Sequence, residues 1–352
     1  MQGLVRATFA VSRLSRRLPG APSRRHLCSK SDHERLTVCE PLASSRKLVR
    51  LRGAESLEFL QGMVTNDTRH LSTDAAGKSR RCMYALMLNS VGRVLHDLLI
   101  YRPAGEDEVL VECDAGARQS LLRLLQLYRL RKPIEIEPYD DLDVWVVFRP
   151  FCGAVEEPPP PPADDRWPAL GRLMVRDPRL HLLGWRVLAN AGEDLASSGP
   201  SLVRGGDEGE LQAPSYACLR LQLGVGEGLR ELPPAACFPL ECNADYLGGE
   251  LTARTHHTGV VRKRLLPVVL LGGPPGGGML AADALVRDAQ GATLGKLRAH
   301  RGQLGLALLR VHEALAADTL QVDGVPLSVA KPGWWPRQVA RQAAHEAHAP
   351  AG

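Results

Sequence analysis

The chain has 352 residues, 44% of them hydrophobic and 24% charged, with 34 Gly and 26 Pro against only 5% aromatics. That balance excludes wholesale disorder and a long helical rod, and the sequence holds no apolar run of the roughly 18 residues that a spanning helix needs. The net charge of +5 is unevenly held: residues 1–31 carry seven cations and no acid, which leaves the rest at −2 and without the basic body of a nucleic-acid binder.

Taken in chain order, residues 1–31 contain Arg and Ser but no acid, and Leu4, Phe9, Val11 and Leu14 can share part of one helical face. This is the pattern of a mitochondrial transit peptide. Residues 48–62 predict a short strand, a turn at Gly53 and a helix with Leu57, Phe59 and Leu60 on its apolar face, ending at Gly62. Residues 83–101 predict a β-hairpin turning at 89–92, and 109–111 a further strand. Leu121, Leu122, Leu124, Leu125 and Tyr128 give 114–130 a helical pattern, and 134–148 alternates as strands. The five prolines of 158–162 predict a surface loop, 192–210 a second polar loop and 272–278 a third break. Short strands and turns after that break predict a small β-barrel over 266–336, followed by a fraying Ala-rich tail at 337–352.

Eight cysteines (Cys28, Cys39, Cys82, Cys113, Cys152, Cys218, Cys237, Cys242) are scattered, with no CxxC pair and no zinc-type spacing. They predict ordinary thiols in a reducing compartment. The sequence has no Ser nucleophile elbow, Walker loop or HExxH motif, so no catalytic residue and no metal ligand is predicted.

Three stretches occur in a telling order: LRGAESLEFLQGMVTNDT (51–68), MLNSVGRVLHDLLIY with YRLRKPIEIE (87–101, 128–137), and LGVGEGLRELPPAACFPLECNADYLGG running into ELTARTHHTGVVRKRL (223–265). Together they resemble the folate-binding YgfZ family, relatives of the aminomethyltransferase T-protein of glycine cleavage. The ELTARTHHTGVVRKRL stretch and KPGWWP (331–336) resemble its mitochondrial iron–sulfur cluster assembly branch most closely. The resemblance implies an α+β, T-protein-like arrangement: an N-terminal folate-binding-like α/β region (45–150), a middle region (166–265) and the C-terminal barrel. It also implies tetrahydrofolate as ligand, A-type iron–sulfur scaffold proteins as partners, a matrix location without stable membrane insertion, and a role in maturing [4Fe–4S] proteins. The rival readings are a true folate-dependent aminomethyltransferase and a non-catalytic folate- or scaffold-binding isoform.

One departure stands out. The family's Lys-Gly-Cys-Tyr-x-Gly-Gln-Glu segment is interrupted: Gly249 runs directly into Glu250, which matches the closing Glu, and about eleven residues, the cysteine among them, have no counterpart. A splice variant, a gene-model error or a true loss would each produce this gap.

By the resemblance, Asp97 is the foremost pterin-contact candidate; the alternative is a strand-end Asp bonding its own backbone. Asn66, with Asp67, either lines the same pocket or makes an Asx turn. Arg129 and Arg131, with Lys132, either capture a glutamate tail through bidentate bonds or interact with a helix C-terminus. Glu241 and Asn243 match a family segment near the pocket. Glu250 matches the closing Glu of the motif, and Arg254 opens the densest basic stretch of the body, with His256, His257, Arg262, Lys263 and Arg264. That stretch is either an anion-binding edge or partner surface, or a strand with a solvated face.

Overall fold

The computed structural model describes residues 37–72, 80–103, 107–150, 170–198, 202–205, 215–247, 261–272 and 279–335. Strand β1 (Thr37–Pro41) leads to β2 (Arg46–Arg52) and helix α1 (Ser56–Gln61). Gly53 makes the turn between them at φ +133°, where a Cβ would stand 2.5 Å from the Pro133 carbonyl oxygen. The expected hairpin forms from β3 (Cys82–Leu88) and β4 (Val94–Tyr101), followed by β5 (Glu108–Asp114), helix α2 (Arg118–Arg129), β6 (Glu135–Tyr139) and β7 (Leu142–Phe148). Helix α2 starts later than the periodicity suggests, because the Asp114 carboxylate accepts the Gly116 N–H at 2.8 Å and winds Ala115–Ala117 into a tight turn first.

Beyond these lie β8 (Leu173–Arg176), β9 (Trp185–Asn190), β10 (Leu202–Arg204), α3 (Tyr216–Leu223) and the single turn α4 (Gly228–Glu231). The expected loop at 192–210 is therefore corrected in part. Leu202–Arg204 pairs in parallel with Thr37–Cys39, giving the edge of β1 hydrogen-bond partners that a free loop would leave unmade.

The strands form two open sheets and a barrel. One sheet has the order β3-β4-β5-β2-β6, the other β10-β1-β7-β9-β8. The second sheet takes β1 and β7 from the N-terminal part and β8–β10 from beyond residue 150, so its hydrogen bonds cross the expected division between 45–150 and 166–265. The barrel closes in the order β11-β14-β13-β12-β15-β16, from β11 (Lys263–Leu270) through β12 (Leu285–Asp288), β13 (Thr293–Arg301), β14 (Leu304–Arg310), helix α5 (Val311–Ala316) and β15 (Leu320–Val322) to β16 (Val325–Val329). The fold is the expected mixed α and β architecture with a small C-terminal barrel.

Alternation along β4 decides where the site lies. Leu98 and Ile100 point to one face, where Leu121, Leu122 and Leu125 of α2 pack with Phe59 and Leu60 of α1. Leu99 and Tyr101 point to the other, into a core shared with Phe148 of β7, Tyr216 of α3 and Leu265 of the barrel. Asp97 stands two residues before Leu99 and so faces this second core. The middle of the molecule is thus enclosed by both sheets, α3, α4 and the outside of the barrel.

Candidate functional site

The enclosed middle is not purely apolar. Arg46, Arg179, Arg186 and Arg220 are all buried there, as are Asp97, Glu112, Asp177, Glu227 and Glu231. Burying a charge is costly unless it is paired and hydrogen-bonded, so the partners can be followed one by one. Arg46 donates from Nε to Glu112 Oε1 at 2.7 Å and from Nη1 to Asp97 Oδ2 at 2.9 Å. The other Glu112 oxygen accepts the Tyr101 hydroxyl at 2.5 Å. Arg179 forks onto Asp177, Nε to Oδ1 at 3.0 Å and Nη2 to Oδ2 at 2.7 Å. Arg186 donates to Glu227 and to the Tyr216 hydroxyl, and its Nη1 lies 3.3 Å from Glu112. Arg220 donates to both Glu231 oxygens at 2.5 and 3.2 Å.

Glu227 sits at the centre. Burial opposes its charge, but Arg186, Arg179, Arg220 and Arg46 together hold its carboxyl well below the usual range. Asp177 is lowered in the same way: burial acts against Arg179 and Arg186, and the arginines win. Asp97 goes the other way. Burial outweighs Arg46 and raises it, so it favours the neutral form more than an ordinary Asp does. The packing is tight but not every donor is aimed. Arg179 Nη1 lies 2.7 Å from Glu227, yet neither it, Arg186 Nη1 nor Arg220 Nε has a directed hydrogen bond among the described residues.

The predicted site residues that lie among the described residues do not converge on one cavity. Asp97 lies mid-strand rather than at a strand end. It is bonded by Arg46, and its Oδ1 accepts the Gly228 N–H at 3.1 Å, not its own backbone. Asn66 is buried, donating to the Tyr84 carbonyl at 2.9 Å and accepting the Asp67 N–H at 2.8 Å, while Asp67 makes the turn by accepting the Arg69 N–H. Arg129 donates to the Ile134 carbonyl at 3.1 Å, Arg131 is exposed, and Lys132 pairs with Glu55 at 2.7 Å. These three lie at the C-terminal end of α2, which packs on the face of the first sheet opposite to Asp97, so the structure does not bring Asp97 and Arg129 together. Glu241 caps its own turn by accepting the Phe238 N–H at 2.8 Å. Asn243 donates to the Leu265 carbonyl at 2.9 Å, tying that turn to the barrel. Glu250 and Arg254 lie outside the described residues, as do His256 and His257.

Residue-by-residue reasoning missed Arg46, Glu112, Asp177, Arg179, Arg186, Arg220 and Glu227. Several left a legible signal, an ionisable group inside an apolar run: Glu112 in VLVECD, Arg186 in WRVLAN and Arg220 in YACLRLQL.

A cleft of about 590 Å³ opens onto this network where β3 and β8, each at the edge of its sheet, come together. Arg80, Arg81 and Arg176 line it with Trp185, and Asp177 of the network is part of its wall. The Arg176 guanidinium lies 4.6 Å from the Trp185 ring centroid. Its size suits a small organic ligand, and its charge suits an anionic one.

The network predicts a pH signature. Glu227→Gln removes the charge that faces three guanidiniums and costs about 3–5 kcal/mol at neutral pH. Because the folded-state pKa of Glu227 is depressed, its stabilisation is present above the ordinary carboxylate value of about 4.3 and is lost as pH falls through the folded value. Urea denaturation should therefore show a wide gap between the parent and Glu227→Gln at pH 7 that narrows as the pH drops to about 3.

Comparison with known proteins accords with this architecture. Residues 262–337 match the CAF17 C-terminal beta-barrel domain. A crystal structure of the glycine cleavage system aminomethyltransferase T from Bartonella henselae shares the fold at a TM-score of 0.59 and 15% identity, covering 86% of this chain and 87% of that one. The mitochondrial iron–sulfur cluster assembly factor IBA57 of Homo sapiens is 38% identical over 313 residues, 83% of each chain. Its counterpart in Mus musculus is 37% identical over 83% of this chain and 84% of its own. The chain belongs to the IBA57 family of mitochondrial iron–sulfur cluster assembly factors.

Proposed function

We propose that this chain is a mitochondrial matrix factor for assembling iron–sulfur clusters, that it serves [4Fe–4S] proteins together with A-type scaffold proteins, and that it binds a reduced folate. The observation that carries the reading is the 38% identity that extends over 83% of both chains. The acid-free, arginine-bearing segment 1–31 supports import. The described central carboxylates are engaged by arginines and backbone N–H groups, which supports a positioning role for them.

For the folate, the cleft between β3 and β8 fits in size and charge. Arg80 and Arg81 would hold the glutamate carboxylates, and Trp185 with Arg176 would offer a flat cationic wall for the aromatic body. Bound there, a reduced folate would supply an electron-rich pterin next to the arginine network. Calorimetry with tetrahydrofolate at two ionic strengths tests this. Arg81→Ala weakens binding at low salt and loses most of that effect at high salt, since an exposed ion pair is screened. Arg129→Ala, across the sheet, leaves binding unchanged. No heat with the parent chain overturns folate binding.

The interrupted motif bears on the cluster step. Thiolate is the natural cluster ligand, and the family cysteine has no counterpart between Gly249 and Glu250. Eleven residues also span up to about 36–40 Å of extended chain, so their loss shortens the connection to the barrel. In cells lacking the assembly factor, this chain is expected not to restore aconitase activity, whereas the chain with the eleven-residue family segment inserted at 249/250 does. Thermal melts of both proteins separate lost chemistry from lost stability. Full aconitase activity with the unmodified chain would overturn the requirement for the segment.

A further inference from the structure

Two cysteines that the proposed function does not use stand together. Cys237 and Cys242 flank the turn Pro239–Cys242, and their sulfur atoms lie 2.8 Å apart, nearer than two unbonded thiols ordinarily rest. Both are buried, at 3% and 2% exposure. The backbone sets this approach. Glu241 accepts the Phe238 N–H, the Cys242 N–H donates to the Phe238 carbonyl at 3.3 Å, and the Ala244 N–H donates to the Pro239 carbonyl at 3.1 Å. The turn is therefore held at both ends with the sulfurs facing each other. The other described cysteines (Cys39, Cys82, Cys113, Cys218) have no such partner sulfur within bonding contact.

We infer that Cys237 and Cys242 form a reversible thiol–disulfide site that is oxidised by a peroxide and restored by a dithiol. The two sulfurs are not equivalent. Either sulfur can donate in this contact; with Cys242 as the donor the bond favours a thiolate on Cys237 against the opposing effect of burial, and Arg298 and Arg93 add to that preference. In the first step the Cys237 thiolate attacks one peroxide oxygen. An S–O bond forms, the O–O bond breaks, and the departing hydroxide takes a proton to become water. In the second step the Cys242 sulfur attacks the sulfenic sulfur. The S–S bond forms, the S–O bond breaks, and the hydroxide leaves as water with the Cys242 proton. Two thiols lose two electrons, and one peroxide becomes two waters.

The bridge would close one residue before Asn243, whose side chain holds the Leu265 carbonyl of β11. Oxidation would thus fix the turn that ties the central segment to the barrel. The inference rests on the sulfur geometry and not on folate or cluster binding, so either can fail without the other.

The test uses the full reduced chain treated with hydrogen peroxide, then alkylated with iodoacetamide and digested with trypsin. The peptide 231–254 holds Cys237 and Cys242 and no other cysteine. The expected result is complete loss of alkylation in this peptide, a mass lower by two hydrogens than the unalkylated dithiol, and recovery with dithiothreitol, while half-buried Cys218 stays alkylated. In Cys242→Ser, which keeps Cys237 but cannot close the bridge, dimedone should trap a sulfenic acid on Cys237. Full alkylation of 231–254 after Cys218 has oxidised, or sulfinic acids on both cysteines with no bridged peptide, would overturn the inference.

Discussion

The Glu227 carboxylate, set among Arg179, Arg186 and Arg220, is the interaction on which the rest of the structure depends. Each arginine comes from a different part of the chain. Arg179 follows β8, Arg186 lies in β9 of the second sheet, and Arg220 lies in α3. Arg186 also reaches Glu112 of the first sheet, and Glu112 holds Arg46, which holds Asp97. One continuous set of charge contacts therefore spans both sheets and the two central helices. Four buried guanidiniums would be intolerable separately. Together with their acids they become a geometric specification: neither sheet can slide against the other without leaving a buried charge unpaired.

That specification has consequences for function. The paired charge at the centre leaves its side chains engaged with one another, and the proposed ligand site lies at its margin. The cleft between β3 and β8 is such a margin, sharing Asp177 with the network and adding three arginines and Trp185. At another margin, Asn243 and the cysteine-flanked turn lean on β11, and the next stretch of sequence is where the family's cysteine motif is interrupted.

Much of the fold was legible in the sequence. The hairpin of β3 and β4, the strand–turn–helix at Gly53 and the barrel followed from alternation, helical periodicity and turn residues, which are local signals. The family resemblance supplied the T-protein-like arrangement that no local pattern could. What stayed hidden was non-local. The strand Leu202–Arg204 is too short to announce itself, and forms because β1 offers it an edge. Asp97 was legible as important, but its partner Arg46 lies 51 residues away and reads in isolation as an ordinary strand cation. Asp97 and Arg129 read in sequence as contacts to the two ends of one ligand, yet α2 and the central core lie on opposite faces of the same sheet. Only the paired strands reveal that separation.

A double-mutant cycle between Arg186 and Glu227 tests most directly whether Glu227 anchors the buried network. Arg186→Met and Glu227→Leu each leave a charge stranded in the core and should cost about 3–5 kcal/mol in urea denaturation at neutral pH. The double variant strands fewer charges and should be more stable than the sum of the single losses implies, by about 2 kcal/mol or more. Losses that add to within about 0.5 kcal/mol would contradict the central role given to this pair.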